Sequence, residues 1–188
     1  MKLLVIVDMQ NDFIDGALGS EAAQAIVPNV VKKIETASDD TITIFTKDTH
    51  YADYCSTLEG QKLPVPHCIY MSHGWNINID IRNAWFESNT SIIEDPEFRE
   101  NNVIIKDTFG SDLLMNFLKR EGYHFDEIEF IGVCTDICVV SNAILARAAL
   151  PNTKITVDAS CCAGTSVEKH NAALETMKSC QIDVINEE

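Results

Sequence analysis

The stretch from Glu127 to Leu150, EIEFIGVCTDICVVSNAILARAAL, constrains the fold of this chain more than any other part of it. Residues 128–133 form a short apolar run that predicts a buried strand. The chain then turns through residues 134–137 and resumes at Cys138 as a helix that is apolar on nearly every side. A buried strand that leads through a tight turn into a buried helix is typical of α/β proteins.

The alternation of strand and helix continues along the chain. Predicted strands cover residues 2–7, 41–46, 103–106, 128–133, 154–159 and 182–185. Predicted helices cover residues 20–36, 111–121, 138–150 and 166–179. Pro28 lies inside the first helix and indicates either a kink or a later start near Pro28 itself, whereas Ser111 is a candidate N-cap. This order predicts an α/β fold with a mainly parallel sheet.

The length and composition predict one globular domain. The chain has 188 residues, 46% of them hydrophobic, which is enough apolar material for a core. No repeat or linker divides it, so we treat residues 1–188 as a single domain. From residue 48 to residue 101 the periodicity fades, and so long an irregular segment in a compact domain is typical of a functional loop.

The charge of the chain excludes some partners. The formal net charge is −15, and no basic cluster is longer than the pairs Lys32–Lys33 and Lys119–Arg120. We therefore expect neither nucleic acid nor an anionic membrane surface as a partner. The N-terminus opens on a strand and resembles neither a signal peptide nor a membrane span, and the seven cysteines form no disulfide framework, so we expect a cytoplasmic protein. Whether it forms a homo-oligomer is left open.

Three polar residues follow three of the predicted strands. Asp8 follows the first, Lys106 ends the third, and Cys138 comes after the fourth. Since ligands bind at the carboxyl ends of parallel strands, we expect the three side chains to meet. A carboxylate that accepts a proton, an ammonium group and a thiol at a helix N-terminus together favour covalent acyl chemistry on cysteine. The alternative is that Cys138 is a small buried hydrophobic residue and that the other two are solvated.

A second group of polar residues follows the second strand. Asp48 and His50 lie two residues apart, on the same face if the strand continues, and Glu59 and His67 follow in the next loop. Two imidazoles and two carboxylates suit a divalent transition-metal ion. The alternative is a surface loop that carries a few histidines. The remaining candidates are His73, as a rival ligand or a pocket residue, and Asp53, as a replacement for Glu59.

Three motifs in the chain resemble the signature blocks of one enzyme family. They are VDMQNDF at 7–13, KDTFGS at 106–111 and GVCTDICV at 132–139, and they are similar to those of the isochorismatase-like cysteine hydrolases. The resemblance implies a six-stranded sheet with helices on both faces, a Rossmann-type three-layer sandwich. It implies a catalytic triad of Asp8, Lys106 and Cys138. It also implies a cis peptide between Val133 and Cys134, and an oxyanion hole formed by the backbone N–H groups of Cys134 and Cys138.

The metal-type residues resemble those of the nicotinamidase (pyrazinamidase) branch of that family. This resemblance implies an ion held by Asp48, His50, Glu59 and His67, with zinc as the first choice and iron or manganese as alternatives. It further implies an amidase that hydrolyses nicotinamide to nicotinate and ammonia through a cysteine thioester.

Three aromatic residues are candidates for the contacts of a flat substrate ring, although each is equally suited to the core. They are Phe13, Trp75 and Phe109. Three other functions remain open. The protein could be a carbamoyl or ureido amidase, an isochorismatase-type hydrolase, or a non-catalytic metal-binding protein with the same fold.

Overall fold

The computed structural model describes residues 1–88, 102–120 and 123–187. Within these residues six parallel strands form one sheet in the order β3-β2-β1-β4-β5-β6. The strands are β1 Lys2–Val7, β2 Thr41–Asp48, β3 Val103–Lys106, β4 Glu127–Val133, β5 Lys154–Ala163 and β6 Asp183–Ile185. The predicted α/β fold with a six-stranded parallel sheet is confirmed.

Seven α-helices lie within the described residues. They are α1 Asn11–Ile14, α2 Glu21–Glu35, α3 Leu58–Lys62, α4 Ile79–Glu87, α5 Asp112–Leu118, α6 Val140–Ala149 and α7 Val167–Ser179. A short 3₁₀ turn covers Tyr54–Ser56, and a π-helical turn covers Thr135–Val139. No helix in the described part of the chain is long and apolar enough to cross a lipid bilayer.

Strand β1 shows why both faces of the sheet carry helices. Leu3, Val5 and Val7 pack into a core that includes residues of α5, α6 and α7. Leu4 and Ile6 pack into a second core that includes residues of α2 and α4. Successive strand residues point to opposite faces, so a strand covered on both sides reads as a continuous apolar run. The result is the predicted three-layer sandwich.

The start of α2 excludes one of the two predictions made from Pro28. The helix begins at Glu21 and includes Pro28, so the later start near Pro28 is wrong. The Ser20 hydroxyl accepts a hydrogen bond from the backbone N–H of Ala23 at 3.1 Å, which satisfies a free donor of the first turn. Ser111 caps α5 in the same way, as predicted, by accepting from Leu114 N at 3.1 Å.

The segment from residue 48 to residue 101 is more regular than the sequence predicts. It contains α3 and α4, and α4 buries Ile81, Ala84 and Trp85 against the sheet core. The pattern was missed because α4 is short and polar residues flank its apolar positions. Residues 89–101, and residue 121 of the predicted helix over residues 111–121, lie outside the described residues.

Candidate active site

The structure brings Asp8, Lys106 and Cys138 together at the carboxyl edge of the sheet. The ammonium nitrogen of Lys106 lies 2.6 Å from Asp8 Oδ2 and 3.6 Å from Cys138 Sγ. All three residues are buried, with 0%, 5% and 6% of their surface exposed for Asp8, Lys106 and Cys138. The meeting follows from parallel strands that end at the same edge.

The strand order explains how these residues reach one another. Lys106 pairs in register with Asp48 of β2, and its side chain extends beyond β2 to Asp8, which follows β1. The Thr46 hydroxyl donates to Asp8 Oδ1 at 2.7 Å. Asp8 has a φ of 51°, a left-handed backbone that is uncommon without glycine and that clusters at functional sites.

Cys138 lies in a wide turn, which we call the cysteine turn and define as residues 134–139. The sequence predicts that a helix starts at Cys138, but the α-helix starts at Val140, so that prediction is wrong. The carbonyl oxygen of Cys134 accepts from Ile137 N at 3.0 Å and from Val139 N at 3.1 Å, the two residues that flank Cys138. Such π-type turns are frequent at functional sites. The peptide bond before Cys134 is cis, as the resemblance implies.

The predicted metal ligands also converge. The nearest ligand atoms of Asp48, His50 and His67 lie within 4.8 Å of one another, and all three residues are buried. Asp48 Oδ2 is 2.9 Å from His50 Nε2 and 3.4 Å from His67 Nε2. Glu59 lies at the edge of the group, with its Oε1 atom 3.7 Å and 3.8 Å from the same two nitrogens.

Two hydrogen-bonding features show that this group fits a cation. His50 Nε2 is buried and has no hydrogen-bond partner in the described part of the chain, although Asp48 Oδ2 lies 2.9 Å away. Buried polar atoms nearly always have a partner, so this nitrogen suits a bound ion. His67 Nδ1 lies 2.8 Å from the carbonyl oxygen of Val65, which places the ring proton on Nδ1 and leaves the Nε2 lone pair facing the group.

The two rival ligands lie outside this group. His73 and Asp53 are exposed, and neither belongs to the buried cluster found among the described residues. The carbonyl oxygen of His73 accepts from the Asn11 side chain at 2.9 Å, so the residue anchors a loop through its backbone.

A cavity of about 370 Å³ joins the two clusters. Its polar lining includes Asp48, Glu59, His67 and Cys138. Its apolar lining includes Phe13, Leu18, Leu63, Phe109, Val133 and Ile137. A mostly apolar cavity with a few convergent polar groups is typical of a site for a small organic molecule.

The structure places the three predicted aromatic residues differently. Phe13 and Phe109 line the cavity, and the Phe13 ring packs edge-on against His67 with centroids 5.5 Å apart. Trp75 is not among the residues that line this cavity, and its contact with the substrate stays a prediction. Its indole N–H donates to Thr49 Oγ1 at 2.8 Å, and its ring packs against Tyr70 in a buried position.

A family model described as the isochorismatase domain matches residues 2–188. The chain belongs to the isochorismatase family. It is 29% identical over 194 residues to the nicotinamidase/pyrazinamidase of Mycobacterium tuberculosis, with 98% of each chain covered. It is 30% identical over 208 residues to the nicotinamidase of Schizosaccharomyces pombe, with 98% of this chain and 92% of that one covered. The crystal structure of nicotinamidase/pyrazinamidase from Bacillus subtilis has a TM-score of 0.79 and 25% identity, with 98% of this chain and 99% of that one covered.

These findings confirm the resemblance drawn from the three motifs. The protein is a hydrolase of the isochorismatase family, and its curated relatives carry the name nicotinamidase. The alternative of a non-catalytic protein loses its support, because the matches extend over nearly the whole chain.

In this isochorismatase-family enzyme, burial and neighbouring charges together shift the pKa values of Asp8, Lys106 and Asp48. Burial raises the pKa of Asp8, Lys106 opposes that rise and Asp48 adds to it. Burial would lower the pKa of Lys106, but Asp8 raises it well above the ordinary value, so the lysine stays charged. Asp48 has the opposite balance: Lys106 and the two imidazoles outweigh its burial and hold its pKa below the ordinary value. Asp8 is therefore the more basic of the two carboxylates.

The thiol of Cys138 differs from the expected resting thiolate. Burial raises the pKa of Cys138 well above its ordinary value, Lys106 lowers it, and Asp8 and Asp48 raise it again. The balance of these effects favours the protonated thiol over a resting thiolate.

The sequence patterns assigned no role at the site to two polar residues, Gln10 and His170. Gln10 is fully buried; its Nε2 donates to Asp48 O at 2.8 Å and its Oε1 accepts from Asp48 N at 2.7 Å, so it holds the backbone of a metal-type residue. His170 lies against the cysteine turn, where its Nδ1 is 2.8 Å from Thr135 Oγ1. The signal for Gln10 was its place in the VDMQNDF motif, whereas the position of His170 depends on packing between distant segments.

Proposed function

We propose that this enzyme hydrolyses nicotinamide to nicotinate and ammonia, with Cys138 as the nucleophile. The observation that carries the proposal is that one cavity is lined both by Cys138 and by residues of the metal-type group, namely Asp48, Glu59 and His67. The ammonium group of Lys106 links them, since it lies 2.6 Å from Asp8 and 3.2 Å from Asp48. The names of the curated relatives support the same substrate.

The first half of the reaction forms a thioester. Asp8 takes the proton of the Cys138 thiol as the sulfur attacks the carboxamide carbon, so a C–S bond forms and the carbonyl π electrons move to oxygen. The backbone N–H groups of Cys134 and Cys138 stabilise that oxyanion, a contribution of the kind whose loss costs about 10²–10³ in rate. When the oxyanion collapses, the C–N bond breaks and Asp8 returns its proton to the leaving group, which departs as ammonia.

The second half hydrolyses the thioester. Asp8, again a carboxylate, takes a proton from water, and the hydroxide attacks the acyl carbon. The oxyanion forms at the same N–H groups, then collapses, and the C–S bond breaks. The sulfur regains a proton from Asp8, and the product leaves as the carboxylic acid, which releases its own proton to solvent to become the carboxylate. The raised pKa of Asp8 suits a residue that accepts and donates a proton in turn.

The metal-type group and the aromatic lining would orient the ring. Asp48, His50 and His67, with Glu59 at the edge, would hold a divalent ion, for which zinc suits two imidazoles and a carboxylate. Such an ion would supply a Lewis acid with affinity for an aromatic nitrogen. Phe13 and Phe109 would contact the faces of the ring, and Lys106 would keep Asp8 in position beside the thiol.

A panel of amides tests the proposed substrate. Ammonia release should be fast from nicotinamide and from pyrazinamide. Both compounds carry a ring nitrogen meta to the carboxamide. Release should be much slower from benzamide, a matched control that lacks the nitrogen, and from ureido amides. Release from ureido amides without release from nicotinamide would favour the carbamoyl or ureido amidase instead, and hydrolysis of isochorismate would favour the isochorismatase-type enzyme.

The metal ligands make a separate prediction. Replacing His50 or Asp48 with alanine should strip the purified protein of most of its divalent metal, because each removes one donor from a small set. Elemental analysis of the folded variants measures this directly. His124→Ala removes an exposed histidine and serves as the control, which should keep the wild-type metal content. Equal metal content in all of these proteins would contradict the ligand assignment.

A further inference from the structure

The cysteine turn is tied to the start of α7 by a partly buried hydrogen bond. Thr135, the second residue of the turn, has no exposed surface, and its hydroxyl lies 2.8 Å from His170 Nδ1. His170 belongs to the first turn of α7, and its backbone N–H donates to Ser166 O at 2.9 Å. A side chain on a regular helix therefore holds the residue that follows Cys134.

A second contact fastens the neighbouring residue of the turn to the same segment. The carboxylate of Asp136 accepts from Thr165 N at 2.8 Å and from Thr165 Oγ1 at 2.6 Å. Gly164 allows this approach, because a Cβ atom there would lie 2.8 Å from His170 Cβ and 2.9 Å from Asp136 Oδ1. The turn thus meets the β5–α7 connection at two successive residues.

The contact at Thr135 lies between two cysteines that line the cavity. Cys134 precedes Thr135, and Cys138 follows three residues later, and both line the cavity. A shift of Thr135 would move the Cys134 backbone and change the path of the turn to the sulfur. Since misplacement by about 1 Å can cost about 10²-fold in rate, a fixed turn is chemically valuable.

We propose that the hydrogen bond between His170 and Thr135 positions the cysteine turn for hydrolysis, so that His170 is a positioning residue. His170 is not among the residues that line the cavity, and it acts through Thr135 rather than on the reacting atoms. The kinetic test of this inference rests on the proposed function. A second test does not, because the geometry of the turn also sets the reactivity of the Cys138 thiol.

Four variants test the hydrogen bond itself. His170→Leu removes the ring nitrogen at similar size, and His170→Asn keeps a polar group at the δ position. Thr135→Val removes the hydroxyl without changing shape, and the double variant Thr135→Val/His170→Leu completes a cycle. Thermal unfolding of each protein shows whether it is folded. If His170→Leu does not fold, Thr135→Val still tests the hydrogen bond.

We expect kcat for nicotinamide to fall about 10- to 100-fold in His170→Leu and in Thr135→Val, with KM nearly unchanged, because the cavity walls remain. His170→Asn should recover most of the loss. The double variant should lose no more than either single variant, since one contact is removed in each case. Multiplied losses in the double variant, or wild-type kcat in His170→Leu, would overturn the proposal.

A readout that does not need the substrate separates the two proposals. The rate at which iodoacetamide alkylates Cys138, followed by mass spectrometry of its peptide, should change at least several-fold in His170→Leu and return in His170→Asn. If nicotinamide is not hydrolysed but this alkylation pattern holds, the proposed function fails and the positioning role stands. If alkylation of Cys138 is the same in every folded variant, the positioning role fails.

Discussion

Replacing Cys138 with alanine is expected to lower kcat for nicotinamide hydrolysis by at least about 10⁴-fold, because no thioester can form without the sulfur. The loss should appear in kcat rather than in KM, since the side chain is small and the rest of the cavity lining is unchanged. Ammonia release under saturating nicotinamide, with the metal content of both proteins matched, measures the effect.

The control for this variant is a cysteine away from the cavity. Cys55 is exposed and does not line the cavity, so Cys55→Ala should keep wild-type activity. The two variants remove the same atoms from different places. Near-normal turnover in Cys138→Ala would show that the sulfur is not the nucleophile and would leave the proposed mechanism without its first step.

Replacing Lys106 with methionine is expected to lower the free energy of unfolding by about 3–5 kcal/mol, because removing one partner of a buried ion pair leaves an uncompensated charge. Here two carboxylates, Asp8 and Asp48, lie within 3.2 Å of the same ammonium nitrogen, and all three residues are buried. Urea denaturation of the variant and the wild type, without added metal, measures the difference. Turnover should also fall, because the position and the charge of Asp8 both depend on Lys106.

The pH dependence of this deficit has a definite sign. Without Lys106 the pKa of Asp8 rises further in the folded state, so the native protein binds more protons than the unfolded chain, and stability falls as pH rises. The deficit of Lys106→Met should therefore be smaller at pH 5 than at pH 8. The control is Lys154→Met, whose exposed lysine pairs with Glu127 at 2.7 Å and should cost less than about 1 kcal/mol. Similar costs for the two variants would contradict this account of the buried cluster.

The raised pKa of Cys138 changes the picture of its activation. A thiol at a helix start suggests a resting thiolate, but the structure buries it beside two carboxylates. Lys106 opposes their effect without overcoming it. In the proposed mechanism the base then acts during the attack, which gives Asp8 a stronger chemical role than the sequence alone suggests.

Local patterns in the sequence determined the fold and the two clusters of the site. Apolar runs bounded by turns mark the strands, and parallel strands must end at one edge of the sheet, so Asp8 and Lys106 could be placed near Cys138 before any distance was known. The metal-type group was found for the same reason, because Asp48 ends β2 and His50 follows it.

Tertiary packing decided what short-range patterns cannot. Trp75 carries the same ring whether it lines a cavity or packs against Tyr70, and only the position of its loop distinguishes these cases. The width of the cysteine turn depends on hydrogen bonds to Cys134 O, and the contact of His170 with Thr135 joins residues that lie 35 positions apart. Sequence periodicity reports which face of an element is apolar; it carries no information on which distant side chain meets that element, because that depends on how whole elements pack.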